Sequence, residues 1–162
     1  MGSLLLSLAQ LAIAIILSGV VVFLSFYLFQ WLTRDLDEWE ELRQGNPAVG
    51  VVLGAILVAT ALMLRPALAV DTTMWDVGYQ VYGRVLVAEA LQLAIGLVLV
   101  ALALGLAVLI FAALTRGIDE IGELKKGNLA VGGLLGGVIL GIGLMASQSV
   151  EQLMTAVTSF LF

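Results

Sequence analysis

The chain writes one segment twice: residues 10–68 return as residues 92–150 at a constant offset of 82, without a gap. Gln10-Leu11-Ala12-Ile13 recurs as Gln92-Leu93-Ala94-Ile95, and Leu32-Thr33-Arg34 as Leu114-Thr115-Arg116. Asp37-Glu38 recurs as Asp119-Glu120, Glu41-Leu42 as Glu123-Leu124, and Gly45-Asn46 as Gly127-Asn128. Each copy is two apolar arms flanking one charged loop, so any fold must place two equivalent helix-loop-helix units side by side.

The arms select the solvent. A chain that is 62% hydrophobic and 12% charged, with a mean hydropathy of +1.14, falls far below the roughly 25% charged residues of soluble domains. It is expected to be an integral membrane protein with the lipid bilayer as its partner. The net charge of −5 comes mainly from acids in the two loops, which argues against nucleic acid as a partner. With no Cys and no His, thiolate and imidazole chemistry have no donors in the chain, and no cofactor and no metal site are expected. No nucleophile constellation or phosphate loop stands out, and an enzyme is not expected.

Apolar runs place four spans near residues 4–32, 47–64, 85–114 and 129–150, measured against the roughly 20 residues a helix needs to cross a bilayer. The first run exceeds the roughly 7–15 residues of a signal-peptide core and reads as a retained span. The expected fold is therefore all-α: a polytopic membrane protein whose four transmembrane helices come from two tandem, parallel helix-loop-helix repeats. Repeat 1 covers 1–68, an outer connector 69–84, and repeat 2 covers 85–162. Within the loops, Leu36, Trp39 and Leu42, and again Ile118, Ile121 and Leu124, recur every three positions, the pattern of short amphipathic helices lying on the membrane surface.

Turn chemistry is repeated with the loops. Gly45 and Gly127 suit the left-handed residue that ends a helix, Asn46 and Asn128 offer N-cap oxygens, and Pro47 fits a first helical position. Lys and Arg set orientation. Arg34, Arg43, Arg116, Lys125 and Lys126 lie in the loops, while Arg65 lies just before the connector and Arg84 at its end. The loops are thus expected on the cytoplasmic side of the cell inner membrane, with both termini and the connector outside. Trp75, Tyr79 and Tyr82 in the connector suit the headgroup level. The segment after Glu151 reads as an outer surface helix or as an extension of the last span.

Three groups of residues are candidates for function. Gln10, Gln92 and Glu89 are polar residues on the first and third spans. The two Gln form either a structural clasp or the lining of a pocket, and Glu89 is either interfacial or beside a solute path. In the loops, Asp37, Glu38, Glu41, Asn46, Asp119, Glu120, Glu123 and Asn128 form either solvated surface-helix faces or an interaction surface, with a divalent cation as a further reading. Gly50, Gly54, Gly132, Gly133, Gly136, Gly137 and Gly141 are small residues suited to close helix packing, within one bundle or between copies.

The pattern Leu32-Thr33, Asp37-Glu38, Gly45-Asn46-Pro47-Ala48 and Gly50 to Gly54, written again as Leu114-Thr115, Asp119-Glu120, Gly127-Asn128-Leu129-Ala130 and Gly132 to Gly137, resembles the YjfL-like inner-membrane proteins grouped as domain of unknown function 350. The resemblance implies a four-helix prokaryotic membrane protein of two repeats, with no established activity. The function expected from residues and resemblance together is that of an oligomeric membrane scaffold or membrane-stress component. It would form a homo-oligomer, a dimer or larger, and engage a cytoplasmic protein partner through its acidic loops. The alternative is a small-solute or ion channel or facilitator with a pathway near Gln10, Gln92 and Glu89.

Overall fold

The computed structural model of the protein describes residues 2–33, 36–68 and 79–161. Its elements are α1 (Gly2–Leu32), α2 (Glu38–Arg43), α3 (Pro47–Leu64), a 3-10 turn at Arg65–Leu68, α4 (Tyr79–Leu114), α5 (Glu120–Lys125) and α6 (Leu129–Leu161). Among the described residues the fold is all-helical. The long helices start within a few residues of the expected spans, because Asn46 and Asn128 set two of those starts. α4 begins earlier than expected and takes in the end of the connector. α6 runs unbroken through the segment after Glu151, so that segment extends the last long helix. Trp75 lies outside the described residues, as do the side chains of Tyr79, Tyr82 and Arg84.

Three helices are long and apolar enough to cross a membrane: Pro47–Leu64, Ala90–Leu114 and Leu129–Val157. In α1 the described apolar run, Ser18–Gln30, is shorter. The 18 residues of α3 rise about 27 Å at about 1.5 Å per residue, close to the hydrocarbon thickness of a bilayer. The chain thus has the build of a membrane protein.

Each corner between long helices uses the same hydrogen bonds. Gly45 lies at φ 76° and Gly127 at φ 73°, a region where a Cβ is strained. Gly45 N donates to Leu42 O (3.0 Å) and Asn46 N to Glu41 O (2.9 Å). Gly127 N donates to Leu124 O (3.0 Å) and Asn128 N to Glu123 O (3.0 Å). This is the Schellman arrangement, which closes a helix on a left-handed residue and turns the chain. Six-residue helices are too short to persist alone. These capping bonds and the long helices beside them hold α2 and α5 in place.

The centre of the bundle is the seam between α3 and α6. A Cβ built on Gly132 would meet Ala48 Cα at 2.8 Å, on Gly136 the Ala55 Cβ at 3.3 Å, and on Gly143 the Ala59 Cβ at 2.7 Å. Because both sets of positions rise together, the two helices run parallel, with backbones too close to admit a side chain at Gly132 or Gly143. α1 packs on α3, α4 on α6, and α4 also reaches α3. Phe29 and its counterpart Phe111 are both fully buried, in one core cluster with Val49, Val52, Ile56, Met63, Leu64, Leu104 and Ile139.

Candidate functional site at the paired corners

Polar chemistry gathers where the two corners meet. At the end of α1, Thr33 Oγ1 lies 2.7 Å from Phe29 O and 2.8 Å from Glu38 Oε1. In the second copy, Thr115 Oγ1 lies 2.8 Å from Phe111 O and 2.6 Å from Glu120 Oε1. The hydroxyl ties the last turn of the long helix to the first residue of the short one, so this Thr-Glu pair fixes the angle of each corner. Asp37 and Asp119 are N-caps: Asp37 Oδ1 accepts from Glu40 N (3.1 Å) and Asp119 Oδ1 from Gly122 N (3.0 Å). A carboxylate at that position also suits the positive end of the helix.

Asn46 joins the copies. Its Oδ1 accepts from Ala48 N (3.0 Å) and Val49 N (3.3 Å), capping α3. Its Nδ2 donates to Glu41 Oε2 (2.6 Å) and across the repeat boundary to Leu124 O (2.7 Å). All four of its hydrogen-bonding positions are used, and the side chain is buried. Asn128 repeats only part of this: Oδ1 accepts from Ala130 N (3.1 Å) and Val131 N (3.4 Å), and Nδ2 donates to Glu123 Oε2 (2.7 Å). Among the described residues, its second amide hydrogen meets no acceptor.

The loop acids therefore divide: Asp37, Glu40 and Asp119 are exposed, as a solvated face requires, and the others are drawn inward. Glu38 is 3% exposed, and Glu41, Glu120 and Glu123 are half-buried; each accepts a hydrogen bond from its own loop. Glu123 also accepts from Lys126 Nζ at 2.7 Å. That bond, and next the bond from Asn128, hold its carboxyl below the usual carboxylate range. The same contact raises the Lys126 ammonium above its usual value. Among the described residues, no group of three or more such side chains is placed to hold a metal ion. Trp39, Glu40, Arg43, Ile118, Lys125 and Lys126 remain exposed around the joined corners. Trp39 stacks on Phe26 at 5.2 Å and 8°, over a groove of about 290 Å³ lined by α1 residues that include Gly19, Phe23 and Gln30.

The other candidates are placed as follows. Gln92 is half-buried on α4 and has a bonding partner. Gln10 lies on α1 and Glu89 on α4, but their side chains fall outside the described residues. Gly132 and Gly136 are buried in the seam. Gly50, Gly54, Gly133, Gly137 and Gly141 have open space where a Cβ would stand. Sequence reasoning missed the pairing of Thr33 with Glu38 and of Thr115 with Glu120. The signal was there: the same Thr and Glu, five residues apart, in both copies.

A chain whose described residues are all-helical, with three helices apolar enough to span a bilayer and a doubled polar corner, belongs to the membrane-protein class. Within it, the chain is a member of the DUF350 family, a Domain of Unknown Function, whose pattern fits residues 3–95 and again residues 85–162. The double match agrees with two tandem repeats. No curated protein and no solved structure matches the chain.

Proposed function

We propose that the protein is a non-enzymatic, self-associating scaffold of the cell inner membrane. In this reading α1 supplies the fourth crossing, the corners face the cytoplasm, and the joined corners form the surface that engages a cytoplasmic protein partner. Asn46 carries the reading. By bonding Leu124 O it makes two separate loops into one rigid platform, and a preorganised surface loses little entropy when a partner binds. The basic residues of both loops favour the cytoplasmic side for that platform. The acids Asp37, Glu38, Glu41, Asp119, Glu120 and Glu123, with Asn46 and Asn128, shape it. The exposed side chains around them, Trp39, Glu40, Arg43, Lys125 and Lys126, make the contact. The apolar spans Pro47–Leu64 and Ala90–Leu114 carry no charged residue, and Leu129–Val157 carries only Glu151, close to its C-terminal end; a relay through the membrane normally needs charged groups at mid-depth, so transport is not the favoured role.

The test is mass measurement and partner capture from native lipid particles. An oligomer with a bound protein is expected. The partner should be lost on combined charge reversal at Glu40 and Lys125, with the oligomer intact. Solute flux through the purified protein in vesicles, abolished by Gln92→Leu, would overturn the reading in favour of a channel near Gln10, Gln92 and Glu89.

A further inference from the structure

Equivalent faces of the two repeats have unequal surroundings. The face of α3 formed by Ala48, Val52, Ala55, Ala59 and Met63 is buried, and Gly132, Gly136 and Gly143 of α6 press on it. The same face of α6, formed by Ala130, Leu134, Gly137, Gly141 and Met145, is largely open. Met145 is 82% exposed where Met63 is 1% exposed. On α3, the counterparts of the pressing residues are Gly50, Gly54 and Ala61, and the two glycines have nothing within 4 Å of a built Cβ.

A twofold contact would have matched Ala48 on Gly132 with Ala130 on Gly50, and Ala55 on Gly136 with Gly137 on Gly54. Neither second contact is made within the chain, so the seam is head-to-tail and leaves one unused copy of each half. The corners repeat the asymmetry: Asn46 reaches Leu124 O, whereas Asn128 does not reach the equivalent Leu42 O.

We infer that the open face of α6 docks on the open face of α3 in a second copy of this chain, repeating the internal seam between chains. The close pairs of that seam become small pairs in the repeat: Ala130 on Gly50, Gly137 on Gly54, Gly141 on Ala61, and, for Val51 on Gly136, Gly133 on Gly54. In lipid, helices associate through close packing of this kind rather than by escape from water. Asn128 Nδ2 then donates to Leu42 O of the neighbour and completes the bond set that Asn46 already has. The corners stay on one side of the membrane, since the internal seam is parallel. Head-to-tail contacts of this type close into a ring when the rotation permits. The inference rests on the self-association proposed above and specifies its surface.

The chain has no Cys, which allows paired-cysteine cross-linking of the full chain in membranes without background. Ala55→Cys with Gly136→Cys on one chain is the internal control and links within the chain. Chains carrying Gly54→Cys alone and chains carrying Gly137→Cys alone should stay unlinked separately and give a dimer when co-expressed. Gly137→Leu, which meets open space within its own chain, should leave a folded monomer by mass in native lipid. An oligomer without the Gly54–Gly137 link, with the control intact, overturns this surface and leaves self-association standing. Self-linking of Gly137→Cys alone overturns it in favour of a twofold dimer. A monomer throughout overturns both proposals.

Discussion

α3 and α6 begin alike, with an Asn cap, an Ala and a run of Val, Leu and Gly, yet they occupy different positions. In α3, 56% of the apolar window is buried inside the chain; in the window over α6 the share is 28%. Leu36, at the corner before α3, is buried, while its counterpart Ile118 is 47% exposed. Related sequence has therefore produced closely similar corners but not similar packing. Local hydrogen bonding is decided within a few residues and repeats faithfully. Side-by-side packing is decided between elements, and a head-to-tail pair necessarily has one covered end and one open end.

Neighbouring glycines of α6 offer the largest test of that difference. Gly132→Leu drives a side chain into the backbone of Ala48, which cannot retreat without parting the seam. Overpacking against backbone is expected to cost about 3 kcal/mol or more. Gly133→Leu, one residue on and facing open space, should leave the stability of the single chain unchanged. Denaturant titration in micelles, followed by helical signal, reads both; equal losses would mean that the seam is not where the contacts place it.

The two equivalent methionines come next. Met63→Ala opens a cavity in the core of the bundle and is expected to cost about 2 kcal/mol. That is the low end for such truncations, because lipid rather than water is the alternative surrounding and the loss is mainly one of packing. Met145→Ala should cost little in a monodisperse monomer. A loss at Met145 that appears only in lipid, where copies can meet, would show that the open face is covered there.

The corners were legible in the sequence because their determinants are local. Gly45 and Gly127, Asn46 and Asn128, and Pro47 each impose a backbone conformation by themselves, so the boundaries of α3 and the start of α6 follow from them. The burial of Glu38 was not legible. A carboxylate on a short amphipathic helix reads as solvated unless its hydroxyl partner, Thr33 at the end of the preceding helix, is placed against it. Nor could the covered face of α3 be read. A helix that is apolar all round carries no stripe to mark the side that packs, and Gly50, Gly54, Gly132 and Gly136 look alike in sequence although only the last two are in the seam. Gln10 and Glu89 stay at the level of the sequence, as their side chains lie outside the described residues.

Asn46 and Asn128 sharpen the comparison at the corners. Replacing either by Ala removes an N-cap, at about 1 kcal/mol. Asn46→Ala additionally removes a side-chain bond from one repeat to the other and leaves a carbonyl with one acceptor position empty, worth a further ~1 kcal/mol. A double-mutant cycle with Gly132→Ala should show coupling for Asn46, because both act on the same seam, and none for Asn128 in a monomer. Equal effects of the two Asn substitutions would mean that the bond to Leu124 O contributes nothing.

The smallest expected difference lies in the charge beside each cap. Glu123 pairs with Lys126, whereas in the first copy the residue equivalent to Lys126 is Gln44, which donates to Glu40 at 3.0 Å. Among the described residues, only the second corner should therefore respond to pH through such a pair. The Glu123 carboxyl is held below its ordinary value by the bond from Lys126 and then by that from Asn128. Its contribution is thus complete above the unfolded carboxylate value, near pH ~4.3, and fades as pH falls through the lower folded value. The Lys126 ammonium is held above its ordinary value. Its contribution is thus complete below about pH 10.4 and fades as pH rises through the higher folded value. Lys126→Met is expected to lower stability slightly between those limits, less so at high salt because the pair is near the surface, and to have no effect in strong acid, where Glu123 is protonated in both states. A difference between Lys126→Met and the parent that persists unchanged into strong acid would mean that Lys126 contributes through its hydrocarbon stem rather than through its charge.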